Sequence, residues 1–286
     1  MKKVSFIGAG RVGTTLAMLL SRAGYKIAAV SSRTPGSCER FLRHVKQGRI
    51  CSDNAEAAAL GEIVFITTND DSITEVCAGI SPQLRGKLVV HCSGALTTDA
   101  LKSASGASKA VVHPMQAVPC VAKGVKSIPG SYFDVECDSK TFPEVKKLVH
   151  SIGGIPVRIE REDRIFNHIA SCMVSNYPVA LFTIALKLYE GTKIGEAKAT
   201  DMLMPLFEES VRNIQSAGAI QSLTGPIERG DIETVRKHLE VLSKVGWIKA
   251  LYICLARSTL KLAEQKGLEA EKAAEIKALL KSHIVR

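Results

Sequence analysis

A glycine-rich turn near the N-terminus has the residue types and spacing that bind a dinucleotide. It directly follows the apolar run 4–7 and opens a segment of helical character that extends to about Arg22. The first glycine of such a turn allows a tight bend, the second lets a pyrophosphate approach the backbone, and the third lets helix and strand pack closely. The free N–H groups of the helix N-terminus then face the phosphates. The predicted cofactor contacts in this turn are Gly8, Gly10, Arg11, Val12 and Gly13.

The end of the second β-type run indicates which dinucleotide binds. An NAD site has a carboxylate here, about 20 residues past the glycines, that binds the ribose hydroxyls. This chain has Ser32, Arg33 and Thr34 instead, without an acidic residue. Because a guanidinium makes charge-assisted, bidentate hydrogen bonds to phosphate oxygens, Ser32 and Arg33 are predicted to bind the 2′-phosphate of NADP(H). The alternative is that Arg33 is only a solvated surface charge.

Polar residues also end three later β-type runs, which is where ligands bind in a doubly wound sheet. The candidates for lining the nicotinamide and its ribose are Thr67, Thr68, Asn69, Ser93 and Gly94. After the third of these runs, His113 and Gln116 are predicted to face the substrate. In the alternative interpretation Asn69, Asp70 and Ser72 cap the helix that follows, and for Asp70 and Ser72 we favour that interpretation.

A long apolar segment after residue 160 carries a polar stripe. Arg164, His168, Ser171 and Ser175 follow one another at steps of four, three and four, which places them on one face of a helix. The stripe either faces a wet cleft against the dinucleotide domain or is hydrogen-bonded within the core. Together with the nearby Asn176, it favours the cleft.

A second candidate for substrate binding is the turn-rich stretch 222–231, which contains two glycines, a proline and Arg229. Such a loop between helices suits a rigid corner that contacts an anion, and it makes Thr224 and Arg229 candidate substrate contacts. A plain connection in which Asp231 caps the next helix explains the same residues equally well.

The elements that would position these residues fall into two groups. Short runs rich in Val and Ile alternate with helical segments from 4–7 to 155–159, and after Glu160 about five helical stretches follow without a convincing strand. This pattern predicts an α/β fold, in which an N-terminal doubly wound (Rossmann) sheet of parallel strands precedes an all-α domain. We predict an NADP-binding domain over 1–160 and a helical substrate and dimerisation domain over 161–286.

Composition limits the partners. The chain has 286 residues and a formal charge of +10, which favours anionic partners, but its aromatic content of 5% and dispersed cations argue against nucleic acid. Its eight cysteines form no CxxC pair, so we expect reduced thiols, no metal site and a cytoplasmic protein. The uncharged run from Ile165 to Leu186 is long enough to cross a bilayer. Because polar residues interrupt it, it is predicted to be a helix buried inside protein, with no membrane contact.

Together, these motifs resemble the family that pairs a Rossmann-like NADP-binding domain with a helical C-terminal domain of unknown function. That family is related to ketopantoate reductases, pyrroline-5-carboxylate reductases and the 6-phosphogluconate dehydrogenase group. The segments that carry the resemblance are GAGRVG at 8–13, HCSGAL at 91–96, HPMQAVP at 113–119, SNY at 175–177 and LTGPIERGD at 223–231, followed by His238. The resemblance implies a 6-phosphogluconate-dehydrogenase-like helical domain and dimers that form through it.

The resemblance also implies a proton donor. In the wider group, a Lys on the first long helix, four residues before a His or Asn, supplies or relays the proton during hydride transfer. Here Arg164 stands at the Lys position and His168 at the partner position, and an Arg is a poor proton donor because it stays protonated. His168 is therefore the predicted acid, while Arg164, Asn176 and Arg229 would hold a substrate carboxylate.

The function predicted from these residues is NADPH-dependent reduction of a small 2-oxo acid, with ketopantoate as the nearest named substrate by resemblance. Two alternatives stay open at this point. One is imine reduction of the pyrroline-5-carboxylate type. The other is a non-catalytic NADP-binding regulatory module, for which the Arg at the Lys position is the reason.

Overall fold

A computed structural model describes residues 2–283, which divide into two compact units, Met1–Pro178 and Val179–Arg286. The first unit contains an eight-stranded sheet in the order β3-β2-β1-β4-β5-β6-β7-β8. Its strands are β1 (Lys3–Ile7), β2 (Lys26–Ser31), β3 (Arg49–Ile50), β4 (Ile63–Ile66), β5 (Leu88–His91), β6 (Ser108–Pro114), β7 (Tyr132–Cys137) and β8 (Ile155–Arg158). Its helices are α1 (Arg11–Arg22), α2 (Pro35–Val45), α3 (Asn54–Leu60), α4 (Asp70–Gly79), α5 (Val121–Ser127), α6 (Phe142–Ser151) and the first part of α7 (Arg164–Lys187).

The central strands of the sheet are buried on both faces, as expected for parallel strands with crossover helices, whereas the edge strands β3 and β8 are largely exposed. Residues alternate between the two faces along β1 and β4: Phe6 stacks on Phe65 in one core cluster, with ring centroids 5.0 Å apart, while Ile7 and Ile66 belong to the other. The central strands β4 and β5 are buried along their whole length, which explains why they read as continuous apolar runs.

The predicted doubly wound sheet followed by a helical region is confirmed, with two local differences. Between β5 and β6 the described chain forms a short 3₁₀ segment, Thr98–Leu101, where a crossover helix was expected. The pairing of β6 with β7 is antiparallel, whereas the other neighbouring strands in the described sheet pair in parallel. The antiparallel pair places the acidic residues of β7 beside the carboxyl end of β6, and this arrangement determines the site described below.

The first unit extends past the predicted boundary at 160, because α7 begins at Arg164 and its first part belongs with the sheet. The second unit comprises the rest of α7 together with α8 (Glu196–Gln221), α9 (Ile232–Val241), α10 (Gly246–Lys266) and α11 (Ala270–Ser282). Its core is formed mainly by α9, α10 and α11, which contribute Val235, Leu260 and Ile276.

In the single chain α7 is largely exposed, so the prediction that this helix is buried inside protein depends on a partner and stays a prediction. In the single chain Phe166 is 70% exposed and Val174 is 78% exposed, because few neighbouring side chains cover the helix. The helical stretch Arg161–Lys187 is also long and apolar enough to cross a bilayer by length and composition, with a mean hydropathy of 1.6. This apolar surface needs a cover that the chain itself does not supply.

Candidate dinucleotide and substrate site

The glycine turn between β1 and α1 has the geometry that its sequence predicts. Gly8 has φ +104°, and a Cβ there would lie 2.6 Å from the backbone of Thr67. A Cβ on Gly13 would lie 2.9 Å from the carbonyl oxygen of Gly8, so this position is closed to a side chain as well. Gly10 differs, because its nearest neighbour would be 3.9 Å away. The turn is thus packed tightly against β4 and open at Gly10, as a phosphate cradle requires.

A cavity of about 640 Å³ adjoins this turn, and we call it the dinucleotide cavity. The predicted residues that line it are Gly8, Gly10, Ser32, Arg33, Thr67, Thr68 and Asn69. Ser37 also lines it, and its hydroxyl accepts a hydrogen bond of 2.8 Å from the guanidinium of Arg40. Arg33 therefore lines the cavity at the end of β2, where the 2′-phosphate of NADP(H) was predicted to bind, and Arg40 on α2 contacts a lining residue.

Sequence reasoning missed Asp53, Asn54 and Glu75, which line the same cavity. The Asp53 carboxylate accepts a hydrogen bond from the backbone N–H of Glu56, so it caps α3. Asn54 accepts a hydrogen bond from the hydroxyl of Ser31 at the end of β2. The available signal was weak, because β3 has only two residues and its end was not recognised as part of the ligand-binding edge.

Ser93, predicted to line the nicotinamide, has an internal role. Its hydroxyl donates a hydrogen bond of 2.7 Å to the Asp70 carboxylate and accepts hydrogen bonds from the backbone N–H groups of Ala95 and Leu96. These bonds fix the loop after β5, and Ser93 is only 5% exposed. The prediction that Asp70 caps α4 is wrong, because its carboxylate accepts the hydrogen bond from Ser93 instead. This bond connects the N-terminus of α4 to the loop after β5.

A second cavity, also of about 640 Å³, lies at the carboxyl end of β6, and we call it the substrate cavity. The predicted residues that line it are His113, Gln116, His168, Ser171, Ser175 and Asn176. Arg11, which was predicted as a cofactor contact, lines this cavity rather than the dinucleotide cavity. Cys172 lines it too, with its Sγ atom 3.7 Å from His168 Nε2 and 3.7 Å from Asn176 Nδ2. Among the described residues that line this cavity none is acidic. Arg11 and two imidazoles therefore give it a positive or neutral character that suits an anion.

The predicted role of Arg164 in binding a substrate carboxylate is wrong. Its side chain is 1% exposed, because it lies under the loop after β5 and faces β7 rather than the cavity. Its Nη1 atom is 2.9 Å from Asp134 Oδ1, and its Nε atom donates a hydrogen bond of 2.8 Å to Glu136 Oε2. The carbonyl oxygens of Ser93 and Gly94 complete its surroundings at 3.4 Å. Both carboxylates of β7 and this guanidinium form one buried ion cluster.

The same cluster orients His113. The second carboxylate oxygen of Asp134 lies 2.9 Å from His113 Nδ1 and accepts a hydrogen bond of 2.8 Å from the Asn167 side chain. The ring of His168 stands edge-on to that of His113, with centroids 6.1 Å apart. Both rings meet at Gly94, where a Cβ would lie 2.5 Å from His168 Nδ1 and 3.0 Å from His113 Nε2. Gly94, predicted as a cofactor contact, thus makes room for two imidazoles.

Thr224 and Arg229 lie in the second unit, in a turn that leads into α9. The backbone N–H of Arg229 donates to the carbonyl of Gly225, and Asp231 caps α9 by accepting a hydrogen bond from the N–H of Thr234. Ile227, in the middle of the turn, is buried in the core of this unit. The turn is therefore a structural connection, and a role of Thr224 and Arg229 in substrate binding stays a prediction.

Two family models match this chain. Residues 3–94 match the family described as NADP oxidoreductase, coenzyme F420-dependent, and residues 131–259 match a domain of unknown function, DUF2520. These matches confirm the resemblance that the sequence motifs indicate. The chain has the Rossmann domain of an NADP-dependent oxidoreductase, which confirms both the cofactor and the enzyme class.

Similar proteins of known name include a pyrroline-5-carboxylate reductase from Pseudomonas aeruginosa, 22% identical over 69% of this chain and 72% of that protein. A crystal structure of a Bacteroides fragilis protein described as an NADP oxidoreductase has a TM-score of 0.77 at 24% identity and covers 90% of this chain and 97% of that one. The crystal structure of the Plasmodium falciparum pyrroline carboxylate reductase with NADP bound has a TM-score of 0.61 at 18% identity. It covers 97% of this chain and 98% of that one. These two structures establish that the fold is shared.

Proposed function

We propose that the protein is an NADPH-dependent reductase of a small 2-oxo acid. The observation that carries the proposal is the substrate cavity, which is lined by Arg11, His113 and His168 and, among its described residues, by no carboxylate. Gly10 lines the dinucleotide cavity and Arg11, the next residue, lines the substrate cavity. Neighbouring residues of one turn therefore line both cavities, which supports hydride transfer between a cofactor in one and a substrate in the other.

Different residues of the substrate cavity perform different steps of such a reduction. When bound, NADPH supplies the hydride to the substrate carbon. The exposed guanidinium of Arg11, held by a hydrogen bond of 3.1 Å to the carbonyl of Pro119, pairs with the substrate carboxylate in a bidentate manner. An imidazole of this cavity protonates the substrate oxygen as negative charge develops there. The sequence predicts His168 for that step, and Asn176 donates a further hydrogen bond to the substrate.

A second candidate is reduction of a cyclic imine that carries a carboxylate. It is favoured by the similarity to pyrroline-5-carboxylate reductase over about two thirds of the chain. Arg11 would bind the carboxylate in the same way. The need for a proton donor distinguishes the two reactions, because a protonated imine accepts hydride without a further proton at nitrogen, whereas a ketone oxygen requires one.

The test is NADPH oxidation measured at saturating cofactor with a panel of 2-oxo acids, their esters and cyclic imino acids. We expect turnover of at least one 2-oxo acid, weaker turnover of its ester, and a KM raised at least tenfold by Arg11→Ala. The matched control is Arg22→Ala, which removes an exposed Arg from the other end of the same helix. Reduction of cyclic imines alone would replace the first candidate with the second, and no turnover in either panel would contradict both.

We further propose that the enzyme is a cytoplasmic homodimer that associates through its helical domain, without nucleic acid or a membrane as partner. The uncovered apolar surface of α7 supports a second copy as the partner. The dispersed cations and low aromatic content argue against nucleic acid.

A further inference from the structure

We infer that His113, oriented by the buried carboxylate of Asp134, is the proton donor of the reaction, and that His168 is a positioning residue. This inference rests on the proposed function, because it assigns a step of that reduction. It changes the assignment made from the sequence, in which His168 is the acid and His113 a substrate contact.

The first reason is the orientation of the His113 ring. Asp134 is fully buried and its Oδ2 atom lies 2.9 Å from His113 Nδ1, so the carboxylate accepts the Nδ1–H and fixes the tautomer. Nε2 then becomes the atom that gains and loses the proton. In the described structure Nε2 makes no hydrogen bond, and the side chain is 19% exposed where it lines the substrate cavity. His113 can therefore reach both a substrate oxygen and solvent.

The second reason is the charge of Asp134. A buried carboxylate without compensation would be protonated and could not stabilise an imidazolium. Here Arg164 lies 2.9 Å from Oδ1, and the Asn167 amide donates to Oδ2. Glu136, in turn, binds the other side of Arg164 at 2.8 Å. The Arg at the position of the family's Lys is thus the counter-ion of Asp134, and it holds this carboxylate in place beside His113.

The third reason is the environment of His168. Its Nδ1 atom is buried and makes no hydrogen bond within the described residues, because it faces the backbone at Gly94. Its Nε2 atom faces the Cys172 thiol at 3.7 Å. No carboxylate fixes the tautomer of His168 as Asp134 fixes that of His113. Neither nitrogen of His168 is free to contact a substrate in the way that Nε2 of His113 is. The charged and titratable side chains around His113 in the described structure include Asp134 from β7 and His168 from α7. Arg164 pairs with the other oxygen of Asp134, and Arg11 lines the same cavity as His113.

The proton that the substrate oxygen receives comes from the His113 imidazolium. The hydride forms the new C–H bond, and the electron pair of the carbonyl double bond moves to the substrate oxygen. That oxygen takes the proton from Nε2 of the His113 imidazolium, while Nδ1–H remains bonded to Asp134. The neutral ring is then reprotonated by one H⁺ from bulk solvent, so that the net reaction consumes one NADPH and one H⁺ and restores the enzyme.

The kinetic test compares His113→Gln with His168→Gln, both as full chains with saturating NADPH. We expect His113→Gln to lower kcat by about 10²- to 10⁴-fold with little change in the Kd of NADPH, and His168→Gln to lower kcat by less than about tenfold. We also expect the basic limb of the pH profile of kcat, which is the loss of rate as pH rises, to vanish in His113→Gln and to persist in His168→Gln. The reverse order of the two variants would overturn the inference.

A measurement that needs no turnover separates this inference from the proposed function. In protein with ¹⁵N-labelled histidine and bound NADP⁺, NMR at pH 8.5 should show His113 as the Nδ1–H tautomer, and Asp134→Asn should remove that preference. An Nε2–H tautomer in the wild type would overturn the inference even if 2-oxo acids are reduced. Absence of turnover together with the Nδ1–H tautomer would instead contradict the proposed function and leave the orienting role of Asp134 supported.

Discussion

The buried ion cluster on β7 provides the sharpest test of how α7 is attached to the sheet. Replacing Arg164 with Met keeps much of the side-chain volume but removes the partner of both Asp134 and Glu136. Arg164 is 1% exposed, and both of its ion pairs are shorter than 3 Å. Breaking a buried pair leaves an uncompensated charge and costs about 3 to 5 kcal/mol. We therefore expect Arg164→Met to lower the free energy of unfolding of the sheet unit by that amount.

The assay is urea denaturation followed by two probes. Far-UV circular dichroism reports both units, whereas the fluorescence of Trp247, the single tryptophan, reports the second unit. We expect Arg164→Met to shift mainly the circular-dichroism transition. Arg158→Met is the matched control, because Arg158 is 41% exposed and its ion pair with Glu160 should contribute less than about 1 kcal/mol. A change below about 1 kcal/mol in Arg164→Met, with catalysis lost, would refute the structural role and restore a catalytic one.

Three further predictions concern the cofactor, pH and the gap at Gly94. Arg33→Ala should reduce the preference for NADPH over NADH at least tenfold in titrations of both cofactors, because a charge-assisted pair to phosphate contributes about 1.5 to 3 kcal/mol. Equal affinities of the wild type for NADPH and NADH would contradict this prediction. Burial lowers the pKa of His91, so the unfolded state binds more protons and the free energy of unfolding should fall as pH drops below about 6.5. In urea titrations at several pH values, the free energy of unfolding should fall less steeply with decreasing pH in His91→Gln than in the wild type. The exposed-histidine variant His150→Gln is the control and should behave like the wild type. A pH dependence in His91→Gln equal to that of the wild type would refute the assignment of this effect to His91. Gly94→Ala should lower kcat at least tenfold without weakening NADPH binding, because its Cβ would lie 2.5 Å from the Nδ1 atom of His168. Gly246→Ala, whose Cβ would have nothing within 4 Å and which lies in the second unit, should behave like wild type. Equal kcat values in Gly94→Ala and wild type would show that the space at Gly94 is not needed.

The fold was predictable because its signals are local. Gly8, Gly10 and Gly13 follow β1 directly, and each buried strand reads as an apolar run, so the dinucleotide half of the site follows from periodicity and turn chemistry. The pairing of β6 with β7 was not predictable in the same way. An antiparallel return depends on contacts between strands that are distant in sequence, and the connection between β6 and β7 contains α5 rather than a short hairpin turn.

The role of Arg164 shows where sequence reasoning failed. A polar stripe on a helix predicts that its members share a face, but it does not say which of them is covered by another element. The missed signal lay in β7, where Asp134 and Glu136 alternate with buried apolar residues on one strand. Two acidic residues on one face of a buried strand require a cation, and Arg164 is that cation. Once it is assigned there, the proton donor must be sought elsewhere, and His113 is beside the same carboxylate.

The exposed surface of α7 leads to the last prediction, that the protein is a stable dimer. In the single chain Phe166, Val174 and Val179 are each at least 67% exposed, and they lie on different sides of the helix. A helix that is apolar on most of its circumference must be buried on most of it, and two-fold dimers are the commonest soluble assembly. An obligate interface of this kind buries about 2,000 Å² or more and persists on dilution.

Sedimentation at low micromolar concentration should therefore give twice the chain mass of 30.7 kDa. Val174→Glu should dissociate or unfold the protein, because a charge cannot be accommodated in an apolar interface. Val241→Glu, at a residue that is 68% exposed on α9, should remain dimeric. A well-folded monomer in the wild type would refute the dimer and this account of α7. Flotation of the wild type with phospholipid vesicles would assign the same surface to a membrane, since the helical stretch Arg161–Lys187 has the length and hydropathy for either environment.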